Sequence, residues 1–142
     1  VYAISHSGRM VAIDLRTGAR AWDRGIAGVE MPWVAGEYIF VMTTANELVC
    51  LTRRGDRVRW VSSLPRFEDS DNKENPIKWS GPVLAGDRLV LVSSHGEAWS
   101  ISPYTGKPLG RVELGADVLI APVIADGTLY FLTESGDLIA MR

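Results

Sequence analysis

At 142 residues, 46% of them hydrophobic and 23% charged, the chain is long enough and apolar enough to bury a core, which argues against a disordered segment. Fifteen Lys and Arg stand against 17 Asp and Glu, with the signs interspersed and no basic stripe to neutralise a row of phosphates, so nucleic acid is a poor candidate partner. No apolar run approaches the ~20 residues of a membrane-spanning helix, and the opening VYAISHSGRM lacks the charged-then-apolar pattern of a signal peptide.

Fourteen Gly, seven Pro and an even spread of Val, Ile, Leu, Thr, Tyr and Trp predict many short strands joined by tight turns. In chain order the strands fall near 1–5, 9–15 and 19–26; then 29–35, 38–44, 47–52 and 57–63; then 81–85, 88–94, 97–102 and 108–114; and finally 119–125, 128–134 and 137–142. Runs such as RLVLV and TLYFL are continuously apolar, as expected of strands covered on both faces. No segment shows sustained helical periodicity. The single cysteine, Cys50 within ELVCL, excludes an internal disulfide and reads as a small buried hydrophobe.

The strands repeat. The segments beginning at Pro32, Pro82 and Pro122 superpose at spacings of 50 and 40 residues. Each proline is followed by alanine three positions later (Ala35, Ala85, Ala125), and each second turn falls on a residue that tolerates positive φ (Asn46, Gly96, Gly136). The opening stretch fits the same register with Gly8 at its second turn. A period near 40 with four strands per unit is that of β-propeller blades, whose small twisted sheets cannot cover their own faces and need neighbours to do so. The expected fold is therefore all-β: an arc of four units at about 1–28, 29–66, 79–117 and 118–142, with an inserted loop at about 64–79. The first copy lacks its innermost strand and the last its outermost. Open edges are thus expected at both ends, inviting the rest of a longer chain or a second copy.

Residues 12–22 read AIDLRTGARAW, placing Ala12, Asp14, Gly18 and Trp22 at the spacing of a tryptophan-docking motif. Asp14 is suited to accept N–H bonds from the turn after it, Gly18 to take the left-handed conformation, and Trp22 to pack flat on the adjoining blade. Later copies depart: Thr52 and Ser102 replace the aspartate, Trp60 persists, and Leu109 and Gly110 stand near the third tryptophan position. The motif resembles the pyrroloquinoline-quinone-type propeller repeats. Residues 64–97, LPRFEDSDNKENPIKWSGPVLAGDRLVLVSSHGE, resemble in particular the BamB family of outer-membrane assembly lipoproteins, here its carboxy-terminal half. That resemblance implies a non-enzymatic scaffold at the periplasmic face of the bacterial outer membrane, holding protein partners of an assembly complex without a cofactor. The alternative it leaves is a fragment of a quinone-dependent dehydrogenase.

The dehydrogenase reading meets little support in the residues. There is no Cys-Cys pair, Asn46, Asn72 and Asn75 are scattered over a turn and a loop, and no isolated acid sits in an apolar segment as a buried ligand. His6 and His95 occupy nearly equivalent turns, but two histidines without a converging carboxylate or thiolate rarely hold a metal. Trp33, Trp79 and Trp99 are expected between sheets rather than in a ligand groove. The insertion is the one feature the repeat does not require. Its residues Leu64, Arg66, Phe67, Glu68, Asp69, Asp71 and Ile77 combine apolar anchors with a polar rim, the anatomy of a partner-binding loop. The segment 66–76 is expected to protrude as an irregular loop.

Overall fold

A computed structural model describes all 142 residues, and every element in it is a strand, a turn or a bend. Four antiparallel sheets follow in chain order: β1(Tyr2–Ile4), β2(Met10–Ile13), β3(Arg20–Arg24); β4(Trp33–Ala35), β5(Tyr38–Met42), β6(Glu47–Thr52), β7(Val58–Ser63); β10(Trp79–Ala85), β11(Arg88–Ser93), β12(Glu97–Ile101), β13(Pro108–Glu113); and β14(Val123–Ala125), β15(Thr128–Leu132), β16(Leu138–Met141). Within each sheet the strands pair with their chain neighbours only, so each unit is an up-and-down meander built from hairpins. The hairpin turns use the left-handed conformation where the repeat places Gly8, Asn46, Gly96 and Gly136.

The doubly covered strands explain the continuous apolar runs. Side chains alternate across a strand, so in β5 Ile39 and Val41 face the first sheet while Phe40 and Met42 face the third. In β11 Leu89 and Leu91 face the second sheet while Val90 and Val92 face the fourth. Each sheet junction therefore has its own core: Met10 with Ile39, Val41, Val49 and Leu51; Phe40, Met42, Leu48 and Cys50 with Trp79, Leu89, Leu91 and Ile101; and Val90, Val92 and Ala98 with Phe131. The outer strand β13 is exposed throughout.

Two expectations need correction. Three strands start elsewhere than expected: the one from residue 81 begins at Trp79, whose side chain is buried, and those from residues 29 and 119 begin at Trp33 and Val123. The insertion is not an irregular loop: β8(Phe67–Asp69) and β9(Glu74–Pro76) pair antiparallel, with Phe67 opposite Pro76 and Asp69 opposite Glu74. Asp69 is the physical reason. Its carboxylate accepts the backbone N–H groups of Asp71 and Asn72 at 3.0 and 3.1 Å and the Asn72 side-chain amide at 2.8 Å, closing a turn within a stretch that has no strand period of its own.

Candidate functional site: the blade junctions and the inserted hairpin

The turn from Asp14 to Gly18 is organised by one carboxylate. Asp14 Oδ1 accepts the N–H groups of Arg16 and Thr17, both at 2.9 Å, and the Gly18 N–H donates to the Asp14 carbonyl at 2.8 Å with Gly18 at φ +72°. The N–H groups of Thr17 and then Arg16 hold the Asp14 carboxyl below its usual range. Trp22 stands opposite Ala12 on β3 and donates from its indole Nε1 to the Arg53 carbonyl in the next sheet at 3.0 Å. The indole lies over Gly55, where a Cβ would stand 2.5 Å from Trp22 Cδ2, and Arg24 Nε donates to the Gly55 carbonyl. Trp22 is half-buried, on an outer strand beside Tyr2.

The second junction repeats this geometry with different residues. Trp60 Nε1 donates to the Pro103 carbonyl at 3.0 Å, and a Cβ on Gly106 would stand 2.5 Å from Trp60 Cε3. A hydroxyl does the work of the missing aspartate at Ser102, whose Oγ accepts the N–H groups of Tyr104 and Thr105, whereas Thr52 Oγ1 accepts the N–H of Arg57, five positions on, and donates to Asp56 Oδ1. The receiving glycines escaped the sequence reading. The signal for Gly106 was its spacing from Ser102, the same four positions as Asp14 to Gly18, while Gly55 lies only three positions after Thr52. The third sheet carries Gly110 opposite Ser100, where the others carry tryptophan, so its junction with the fourth has no indole.

Two side chains at the second junction anchor the inserted hairpin, and a backbone bond closes its base. The Pro65 carbonyl accepts Trp79 Nε1 at 2.8 Å, Asn46 Nδ2 donates to the Ile77 carbonyl at 2.9 Å, and the Ile77 N–H donates to the Arg66 carbonyl at 2.9 Å. Glu68 accepts from Asn75 Nδ2 at 3.1 Å and faces His95 Nδ1 at 3.8 Å, while the His95 ring contacts the Pro76 carbonyl. Asn72 and Asn75 are thus internal to the hairpin, whereas His6 borders a shallow cavity that runs past Val29 and Glu30 to Asn46 and Ile77 at the hairpin's base. Leu64, grouped with the partner-facing residues in the sequence, belongs instead to the core; Phe67, Asp69 and Ile77 are half-buried, and Arg66, Glu68 and Asp71 are exposed. Trp79 packs edge-on to Trp99 at 5.3 Å, Arg111 stacks over Trp99, and Trp33 packs against the same core.

A family model described as the outer membrane protein assembly factor BamB matches residues 1–62 and 66–142. The chain belongs to this family. BamB of Alkalilimnicola ehrlichii is 26% identical over 142 residues, covering 99% of this chain and 35% of the relative. BamB of Salmonella typhimurium is 27% identical over 144 residues, covering 99% of this chain and 34% of the relative, and that of Escherichia coli K12 is 27% identical over 139 residues, covering 96% and 33%. The chain spans about a third of the length of these curated relatives. Among solved structures, BamB from Moraxella catarrhalis superposes with a TM-score of 0.76 at 21% identity over 99% of this chain and 45% of that one, which supports the propeller fold. The computationally designed Ika4 protein superposes at 0.70 with 12% identity over 99% and 82%. In the BamB match the break at 63–65 falls where the inserted hairpin leaves the second sheet.

Cys50 lies at the inner wall of the second junction, 1% exposed. Burial pushes its thiol from 9.0 up to about 11, with Arg59 opposing. A thiol whose folded pKa is raised favours folding below the unfolded value and loses that contribution as pH rises. The expected outcome is no alkylation by iodoacetamide at neutral pH and a melting temperature that falls between pH 9.0 and about 11, a fall that Cys50→Ala removes.

Proposed function

We propose that the chain is part of a non-catalytic β-propeller scaffold at the periplasmic face of the outer membrane, where it holds protein partners of the assembly machinery. The match to the BamB family over nearly the whole chain carries this reading. The hairpin supports it further, because it offers exposed Arg66, Glu68 and Asp71 around half-buried Phe67 on a base locked into the core by Pro65, Asn46 and Trp79. A rigid base with a mixed apolar and polar tip loses little entropy on binding.

The test is excision of Phe67–Pro76. Arg66 and Ile77 are already joined by a hydrogen bond, so a short glycine link closes the gap without moving the sheets. Partner binding in a pull-down is expected to fall about tenfold, while the melting temperature shifts by no more than about 4 °C. Unchanged binding removes the hairpin from the interface. Adding pyrroloquinoline quinone with Ca²⁺ is expected to give no stoichiometric spectral change; a saturable change would replace the scaffold with an oxidoreductase.

A further inference from the structure

Two cavities adjoin at the rim of the second and third sheets. One is a mainly apolar cleft of about 400 Å³ lined by Phe40, Trp60, Leu84, Pro103 and Tyr104, with Asp87 also on its wall. The other is a basin of about 250 Å³ that gathers the side chains of Arg53, Arg54, Arg57 and Arg59. Tyr38 and Arg59 line both, so the cleft opens directly onto the basin. We infer that this composite site binds an acidic peptide segment of a protein partner, with an aromatic side chain in the cleft and flanking carboxylates on the guanidiniums.

The charge balance of the basin points to an anion. Glu37 and Asp56 also line it, but Asp56 is engaged by Thr52 Oγ1 at 2.5 Å, and none of the four arginines is within ion-pair distance of a carboxylate. Across both cavities four guanidiniums face Glu37, Asp56 and Asp87, and Asp87 is paired with Arg88 at 3.3 Å, which leaves a local positive excess on a chain whose formal net charge is −2. The turn that carries Arg53 is fixed beforehand. Trp22 docks on the Arg53 carbonyl and over Gly55, and the Arg53 side chain is held by the Tyr2 hydroxyl at 3.4 Å and the Gly36 carbonyl at 3.3 Å. Arginine presents planar forks that suit carboxylates, and preorganised forks lose less freedom when the ligand arrives.

The cleft decides the class of ligand. A free phosphate has no apolar part, and a fatty acid brings one carboxylate to a basin of four forks. A peptide supplies several carboxylates spaced around an aromatic residue, which is the match to an apolar anchor with a charged surround. This inference names a partner chemistry for the scaffold proposed above and rests on that reading.

The probe is a fluorescein-labelled peptide containing Asp-Glu-Phe-Glu-Asp, titrated against the full chain and followed by anisotropy. Saturable binding is expected, weakening as salt rises. The expected loss is about tenfold or more for the Asn-Gln-Phe-Gln-Asn peptide, for the peptide with Ser in place of Phe, and for the Arg54→Glu/Arg57→Glu variant. Arg54 and Arg57 are exposed, so that variant is expected to melt with the wild type. Binding of the amide peptide as tight as the acidic one, or insensitivity to salt in the wild type, overturns the proposal. So does retention on phosphatidylglycerol vesicles without peptide binding, which assigns the basin to a membrane surface. Sedimentation showing a dimer that Arg54→Glu/Arg57→Glu dissociates overturns it in favour of a second copy. If excising Phe67–Pro76 abolishes partner binding while the peptide fails to bind, the scaffold stands and the clamp alone falls.

Discussion

Gly106→Ala is expected to destabilise the protein about as much as Trp60→Ala, by about 3 kcal/mol, although it adds a single methyl group. The new Cβ would stand 2.5 Å from Trp60 Cε3, and the residue holds φ +75°, where a side chain costs about 1 kcal/mol by itself. The indole cannot yield sideways without breaking its 3.0 Å bond to the Pro103 carbonyl, so the methyl group expels it. The two substitutions should therefore be strongly non-additive: with Trp60 already replaced, Gly106→Ala is expected to retain only the cost of its φ, about 1 kcal/mol. Denaturant titration of the four proteins measures the coupling. Additive losses would mean that Trp60 and Gly106 act independently and that the junction is held by the aliphatic core alone. The same cycle on Trp22 and Gly55 is expected to give a coupling of the same sign.

How far this was legible in the sequence depended on the range of the interaction. The AIDLRTGARAW spacing is local, so the carboxylate turn at Asp14 and the left-handed Gly18 followed from short-range chemistry alone. The partner of Trp22 lies in the next sheet, at Arg53 and Gly55, and only the alignment of copies could have pointed to it. Ser102 read as a departure from the motif because the comparison was by residue type, whereas the turn requires only a side-chain acceptor, which its hydroxyl supplies; Thr52 departs in geometry too, its hydroxyl bonding Asp56 and the Arg57 N–H instead. The hairpin was missed for a related reason: three-residue strands leave no periodicity, and its fold depends on the Asp69 turn, on Trp79 just beyond it and on an anchor from Asn46, 31 positions from Ile77. Leu64 looked like a loop anchor because its neighbours are polar, yet it is 4% exposed. The arginine basin was invisible for a geometric reason. The segment TRRGDRVR reads as a solvated charged turn, and nothing in it shows that a register shift between the pairs Cys50–Trp60 and Leu51–Val58 leaves Arg59 as the extra residue of a β-bulge. Bulges re-aim side chains, and here Arg59 borders both cavities.

Phe131→Ala is expected to cost about 3 to 5 kcal/mol and to loosen the fourth sheet selectively. The junction between the third and fourth sheets has no docked indole, since Gly110 stands at the tryptophan position. What remains there is an aliphatic cluster of Val90, Val92, Ala98, Leu114 and Val118 closed by Phe131, which is 1% exposed. Few polar ties supplement it: the Ser80 hydroxyl donates to the Leu119 carbonyl at 3.2 Å, and the Glu134 N–H to the Asp117 carbonyl at 2.8 Å. Removing the ring leaves a cavity that this close-packed set, three of its five residues stiff valines, fills poorly, so both the transfer loss and the cavity cost fall on one junction. Phe131→Leu keeps most of the volume and is expected to cost about 1.5 kcal/mol or less. In hydrogen exchange on Phe131→Ala, the amides of β15 and β16 should lose protection while those of β5 and β6, two junctions away, keep theirs, because stability in stacked repeats is carried mainly between neighbours. Equal loss of protection across all four sheets would show instead that the sheets open as one cooperative unit, and that the missing indole is compensated by coupling along the whole arc.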